Sequence, residues 1–251
     1  MQPINIIRKV NKFIRPNRIA QELLAQKIKN SAKQAKGILI DIGCGSKPYQ
    51  RFFDNNVSNY FGIDIPKDFR KEVNLDGSIK MPKIIKRAIG YHSRKTVPDI
   101  FGSAFSLPIK SKSIDTVLST EVLEHLSESS VFLSEVKRVL KDNGIFILTT
   151  PFVWPYHEVP YDYVRFTEWG LKNLLIKNGF EVIDIIPYGN NITAIGMLIS
   201  YTIDRIAGNS FWLYYPVKIL CFLIQLFFLL TGKIIKISDL PFGNLIVAKP
   251  N

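Results

Sequence analysis

The chain has 251 residues, with 33 Lys+Arg against 21 Asp+Glu, a formal charge of +12 and a pI near 9.6. That length can bury one sizeable core, and the charge admits an anionic membrane, a phosphorylated molecule or nucleic acid as partner without choosing among them. The two cysteines, Cys44 and Cys221, are too few for a disulfide framework or a zinc cluster and match no metal-ligand spacing, so no metal is expected and a reducing cytosolic setting is the default.

The N-terminus, MQPINIIRKVNKF, has no continuous apolar stretch and does not read as a secretory signal. From Asn17 to about Ala35, the residues Ile19, Ala20, Leu23, Leu24 and Ile28 recur at helical spacing. The rest of this segment is basic, from Lys9 to Lys36, with only Glu22 opposed. It reads as a helix resting on an anionic lipid surface or as a solvated face capping the domain.

Ile38 to Pro48, ILIDIGCGSKP, is a doubly buried strand profile running into Gly43, Cys44 and Gly45. Two glycines one residue apart allow a sharp turn and bare backbone against a ligand. Tyr60 to Ile65 predicts a second strand ending in Asp64, nineteen residues after Gly45, where a carboxylate would hold a ribose diol. Residues 66–98 then form a basic insertion.

Ile114 to Ser119 predicts another strand, followed at once by Glu121-Val-Leu-Glu-His125. A helix is expected from an N-cap at Ser127 to a stop at Asn143-Gly144, and a strand from Ile145 to Thr149. The segment PFVWPYHEVPYDYVRFT, Pro151 to Thr167, packs prolines, aromatics and ionisable groups after a strand end and reads as a site wall. Thr167 then caps a helix through Leu171 and Leu175 that closes at Asn178-Gly179, and Phe180 to Ile186 is a strand. Alternation of this kind predicts an α/β fold, a doubly wound, mostly parallel sheet with ligands at the carboxyl ends of its strands.

The set DIGCG at Asp41 to Gly45, YFGIDI at Tyr60 to Ile65, GSAFSLP at Gly102 to Pro108 and EVLEHL from Glu121 resembles the class I S-adenosylmethionine-dependent methyltransferases, in particular the type 11 small-molecule subgroup. The resemblance covers about Gly37 to Tyr188 and implies a Rossmann-like methyltransferase fold with S-adenosyl-L-methionine as cofactor. It implies that Asp41, Gly43, Cys44 and Gly45 lie by the methionine part, Asp64 and Ile65 by the ribose, Ser103 and Ala104 by the adenine, and Glu121 with His125 beside the sulfonium and the acceptor. Many relatives carry an acid where this chain has Ser103. A dinucleotide fingerprint would need glycine at position 48, which is Pro48. If the acceptor is a hydroxyl, His157 and Glu158, with His125 behind them, are the catalytic candidates. Tyr156, Tyr161, Asp162 and Arg165 are the substrate-binding ones. Similar proline-histidine-aspartate-arginine segments occur in methyltransferase-like proteins of surface-glycan synthesis, which points to a saccharide hydroxyl.

Ile192 to Ile206 and Phe211 to Ile237 are strongly apolar, and Leu245 to Ala248 reads as a last strand, which in the fold the resemblance implies would pair antiparallel with that at Phe180 to Ile186. If both strands share a sheet, the intervening segment crosses no membrane singly: it is a hairpin that dips in and returns, helices lying at the interface, or a surface buried on itself or on a second subunit. The expected organisation is a basic helical segment 1–36, a methyltransferase core 37–189, an apolar helical insertion 190–240 and a final core strand in 241–251. The expected protein methylates a small or lipid-linked glycan acceptor at the cytoplasmic face of an anionic membrane. Methylation of an isoprenoid or quinone-type lipid, or a non-catalytic cofactor-binding module, are the alternatives. Oligomers are possible, and nucleic acid is disfavoured because no Asn-Pro-Pro-Tyr-type motif is present.

Overall fold

A computed structural model describes residues 17–66, 98–207, 211–235 and 237–251. The expected basic insertion at 66–98, apart from its first and last residues, and the basic run before Asn17 lie outside the described residues. The described chain divides into two compact units. One comprises 25–66, 98–188 and 242–251; the other comprises 17–24, 189–207, 211–235 and 237–241. The expected limit at residue 36 is thus replaced by one inside the first helix, α1 (Arg18–Ser31).

The first unit is built on one seven-stranded sheet. Its strands are β1 (Ile38–Ile42), β2 (Asn59–Asp64), β3 (Ile100–Phe101), β4 (Ile114–Thr120), β5 (Leu140–Pro151), β6 (Phe180–Tyr188) and β7 (Gly243–Pro250), in the order β3-β2-β1-β4-β5-β7-β6. β1 pairs parallel with β2 and β4, and β4 parallel with β5; β7 runs antiparallel between β5 and β6. The last strand therefore docks as its LIVA pattern predicts, with Leu245, Ile246, Val247 and Ala248 wholly buried. The apolar runs of β1 and β4 are buried on both faces because helices cover the sheet.

Helix α2 (Ser129–Val139) turns Phe132, Val136 and Val139 onto the core at helical spacing, where Phe132 meets Phe146 of β5. It ends at Val139, not at Asn143-Gly144. Leu140 already pairs with Ile114, so strand pairing extends β5 back through the expected helix stop. Helix α3 (Glu168–Lys177) has the predicted cap: the Thr167 hydroxyl accepts the Gly170 N–H at 3.0 Å, and the helix closes at Asn178.

The second unit contains α4 (Asn191–Ala207) and α5 (Phe211–Ile234). They pack antiparallel, with the Ser200 hydroxyl donating to the Cys221 carbonyl at 3.3 Å and Lys218 paired with Asp204. Buried Gln225 accepts the Ile19 N–H of α1 through its side-chain oxygen at 3.3 Å. Leu213–Ile234 is a 22-residue stretch long and apolar enough to cross a membrane, yet only 11% of its most apolar window is buried inside the protein. Leu223, Phe227 and Leu230 are among its exposed apolar side chains.

Close packing under the glycine turn gives a test of the sheet. A Cβ on Gly62 of β2 would lie 2.6 Å from the Cys44 sulfur. Gly62→Ala is expected to destabilise the protein by about 1–3 kcal/mol, and by less in a Cys44→Ala background; chemical denaturation of the four chains of that cycle measures the coupling.

Candidate active site

The carboxyl ends of β1, β2 and β4 meet around the turn that follows Ile42. Gly43 has φ +72°, and a Cβ there would lie 2.3 Å from a Val122 methyl group, so only glycine lets the turn after β1 sit against the turn after β4. The Gly43 and Cys44 N–H groups donate to the Ile63 carbonyl at 2.8 and 3.2 Å, which locks the turn onto β2. A Cβ on Gly45, by contrast, would meet open space. The Cys44 side chain is buried over Gly62, and burial pushes its thiol up to about 12, so this residue offers the site only backbone.

Asp64 sits at the end of β2 with its carboxylate turned onto the loop: one oxygen accepts the Gly45 N–H and the other the Ile65 N–H, both at 2.8 Å. Lys47 pairs with Asp99, and Asp99 also accepts the Gly62 N–H at 2.6 Å. Burial works to raise the Asp99 carboxyl, but the Lys47 and Gly62 bonds carry it below the ordinary value. This pair, invisible in the motif reading, fastens the loop to β2.

Asp41 is 1% exposed. One of its oxygens accepts the Tyr60 hydroxyl at 2.5 Å, and the other has no hydrogen-bond partner. Desolvation raises its pKa to about 7, against the lowering effect of Tyr60. Of the residues expected near an adenine, Ala104 packs against the core, and the Ser103 hydroxyl accepts the Phe105 N–H at 3.2 Å in its own turn.

After β4, Glu121 adopts φ +54°, an uncommon conformation for a residue with a side chain. Its N–H is held by the carbonyl and hydroxyl of Thr149, and its carboxylate accepts the Thr149 hydroxyl at 2.9 Å and the Tyr188 hydroxyl at 3.2 Å. Burial raises this carboxyl to about 7. A single 3-10 turn, Leu123–His125, then carries Glu124, which is wholly buried with neither oxygen hydrogen-bonded.

The segment after β5 comes back over that turn. The Tyr163 N–H donates to the Glu124 carbonyl at 2.9 Å, and the His125 and His157 rings meet edge to face with centroids 4.6 Å apart. Burial, and then the neighbouring His125, lower the pKa of His157 below the ordinary histidine value. Asp162 is clamped by Arg165 at 2.5 and 2.6 Å and accepts the His157 N–H at 3.0 Å. The pair expected to bind substrate therefore braces the histidine loop. Burial opposes ionisation of Asp162, but the Arg165 bonds hold its carboxyl below the ordinary range. Tyr156 and Tyr161 keep exposed rings.

Glu158, expected beside His157, has φ +51° and an exposed side chain; the carboxylate that faces both imidazoles is that of Glu124. Sequence reasoning passed over Glu124 inside EVLEHL. The available signal was its spacing of three from Glu121, which a tight turn places on the same side. Nothing in the sequence marked Thr149, Tyr60 or Tyr188 as partners.

A model of a methyltransferase domain family matches residues 40–148, the segment that holds the glycine turn, Asp64 and the Glu121–His125 turn. The chain carries a class I S-adenosylmethionine-dependent methyltransferase domain of the type 11 family. An uncharacterised protein of Methanocaldococcus jannaschii is 31% identical over 169 residues, 67% of this chain and 51% of that one. A probable S-adenosylmethionine-dependent methyltransferase of Mycolicibacterium smegmatis is 28% identical over 61% of this chain and 63% of its own length. The chain thus spans less than two thirds of these two relatives. Among solved structures, the [4+2]-cyclase SpnF superposes with a TM-score of 0.54 at 18% identity, covering 90% of this chain and 79% of that one, which shows the shared fold. The cofactor of the methyltransferase domain is S-adenosyl-L-methionine, and the residues present fit it: a glycine turn with open space above Gly45, and a buried Asp41 oxygen with no hydrogen-bond partner.

The buried Asp41 makes stability depend on pH. Its folded pKa of about 7 lies above the ordinary 3.8, so between these values the folded domain keeps a proton that the unfolded chain has released, and stability falls as pH rises. Asp41→Asn retains an acceptor for Tyr60 and removes that cost. Its melting temperature relative to the wild type is expected to be several degrees higher at about pH 8 than at about pH 5.5, as read by calorimetry at both pH values.

Proposed function

We propose that this protein transfers a methyl group from S-adenosylmethionine to a hydroxyl of a small or lipid-linked saccharide at the cytoplasmic face of a membrane. The observation that carries the reading is the imidazole pair His125 and His157 over the buried Glu124, two residues beyond the Val122 that touches the glycine turn. The bound cofactor supplies an electrophilic methyl group on a sulfonium. The protein's part is to align an acceptor and take its proton.

In this reading the Asp41 oxygen that lacks a partner meets the ammonium of the methionine part, and Asp64, at the end of β2, accepts the ribose hydroxyls. The acceptor hydroxyl lies by Glu124, His125 and His157. As its oxygen forms the bond to the methyl carbon and the carbon–sulfur bond breaks, its proton passes to this cluster. A lowered pKa keeps His157 neutral and able to accept near pH 7. The exposed rings of Tyr156 and Tyr161 offer flat amphipathic surfaces of the kind sugars stack on.

The lipid part of the proposal is supported by the second unit taken by itself. Helix α5 has 24 residues, about 36 Å long, and its apolar side chains are mostly uncovered. Its neighbours in sequence, β6 and β7, pair in one sheet, so the hairpin leaves and re-enters on one side of a bilayer. An interfacial or dipping hairpin meets both conditions.

Two measurements separate these parts. Asp64→Ala is expected to weaken binding of S-adenosylhomocysteine about tenfold or more by calorimetry. His157→Ala is expected to leave that affinity unchanged and to lower labelled methyl transfer to a glycolipid extract about 100-fold or more. For the membrane part, wild-type protein is expected to float with anionic phospholipid vesicles and the Leu223→Glu, Phe227→Glu variant to stay at the bottom of the gradient; equal flotation of both would remove α5 as the anchor.

A further inference from the structure

Glu124, His125 and His157 present three donor atoms that lie within 4.8 Å of one another. The tautomers follow from what the rings touch. His125 Nδ1 is 2.8 Å from the Tyr161 carbonyl oxygen, which can only accept, so Nδ1 carries the proton and Nε2 a lone pair. His157 Nδ1 lies 3.3 Å from the Pro155 carbonyl and 3.5 Å from Arg165 Nη2, so it meets an acceptor and a donor, and a cation at Nε2 would select the tautomer with the proton on Nδ1. Both Nε2 atoms face Glu124, that of His125 at 3.6 Å and that of His157 at 3.9 Å from the same carboxylate oxygen.

Three electron-rich atoms around one point repel unless something positive lies between them. These separations exceed the 2.7–3.2 Å of a hydrogen bond, so a shared proton does not bridge them. They are a few tenths of an ångström wider than the spacing of neighbouring ligands around an ion with bonds of about 2.0–2.2 Å. Glu121 lies close enough to act on Glu124 electrostatically, and the Arg165 guanidinium is already paired with Asp162. The outer partners are in place as well: the Tyr161 carbonyl holds the far nitrogen of His125 at 2.8 Å, and the far nitrogen of His157 lies among the Pro155 carbonyl, Arg165 and Asp162. Glu124 itself is 0% exposed with both oxygens lacking hydrogen-bond partners, an arrangement that needs a compensating group.

We infer that Glu124, His125 and His157 bind one divalent transition-metal ion of the nitrogen- and oxygen-preferring class, through the Glu124 carboxylate and Nε2 of each histidine. Two imidazoles and one carboxylate suit zinc, iron(II), cobalt or manganese and leave coordination positions open. The residues lie 32 positions apart along the chain, which is why no ligand spacing was legible in the sequence. The role of the ion rests on the acceptor-side reading above: its open positions take the acceptor hydroxyl and acidify it, and the proton leaves to water when the ion is bound and to His157 when it is not.

The test uses the full chain, stripped with chelator and titrated with cobalt(II) alone. The wild type is expected to bind one cobalt per chain with visible d–d absorption. His157→Ala, in a loop, and Glu124→Gln are expected to lose about tenfold or more in cobalt affinity. Glu124→Gln should melt no lower than the stripped wild type, because it removes a buried acid without a partner. Asp64→Ala should keep the cobalt spectrum while losing S-adenosylhomocysteine affinity. Absence of cobalt absorption in the wild type, or unchanged affinity in His157→Ala, would overturn the site. If S-adenosylhomocysteine still binds in that case, the methyltransferase reading stands without the metal.

Discussion

The contact between Gly43 and Val122 is the constraint on which the site depends. A methyl group of Val122 occupies the space where any side chain on Gly43 would project, 2.3 Å from the ideal Cβ. The turn after β1 and the turn after β4 can therefore approach only as backbone against side chain. That approach joins two chemistries. On one side are Asp41, the glycine turn and Asp64, held together by bonds from Asp64 to the loop N–H groups. On the other are Glu121, Glu124 and the histidines. The positive φ at Glu121 is the counterpart of the glycine turn: the chain must reverse as sharply after β4, and Thr149 holds it there through the Glu121 N–H.

The site is also where the fold buries carboxyl groups it would otherwise leave in water. Asp41, Glu121 and Glu124 all lie where desolvation raises a carboxyl pKa, and among the described residues two of them carry buried oxygens with no hydrogen-bond partner. Elsewhere in the sheet unit, two carboxylates show the contrast: Glu135 accepts from Arg138 and from the Leu107 N–H, and Asp115 from Lys141 and the Ile38 N–H. Buried acids without partners cost stability. Their concentration at the strand ends is what a site for cationic ligands requires, an ammonium at Asp41 and a metal ion at Glu124.

Much of this was legible in the sequence where a local rule and the tertiary structure agree. The apolar runs of β1 and β7 and the Thr167 cap follow from short-range patterns that the packed sheet does not override, while the place of β7 beside β6 was expected from the fold that the family resemblance implies. The stop of α2 was not legible, because pairing of Leu140 with Ile114 outcompetes the Asn143-Gly144 signal, and that pairing depends on a strand 26 residues away. Glu158 and Glu124 show the same limit within the site. The sequence offered Glu158 as a catalytic candidate next to His157, whereas the loop folds back so that Glu124, from another strand end, faces the ring. Asp162 and Arg165 were recognisable as a functional-looking pair, but their mutual clamp appears only once the loop's path is known.

The central claim is that these two turns form one site, with cofactor on the glycine side and acceptor on the histidine side. A crystal structure of the protein with S-adenosylhomocysteine tests it most directly. The account requires the ribose on Asp64, the amino group at Asp41 and the sulfur directed towards the cleft between Glu121 and His157. Density for the ligand away from the Gly43 turn, or a sulfur directed away from His157, would contradict it.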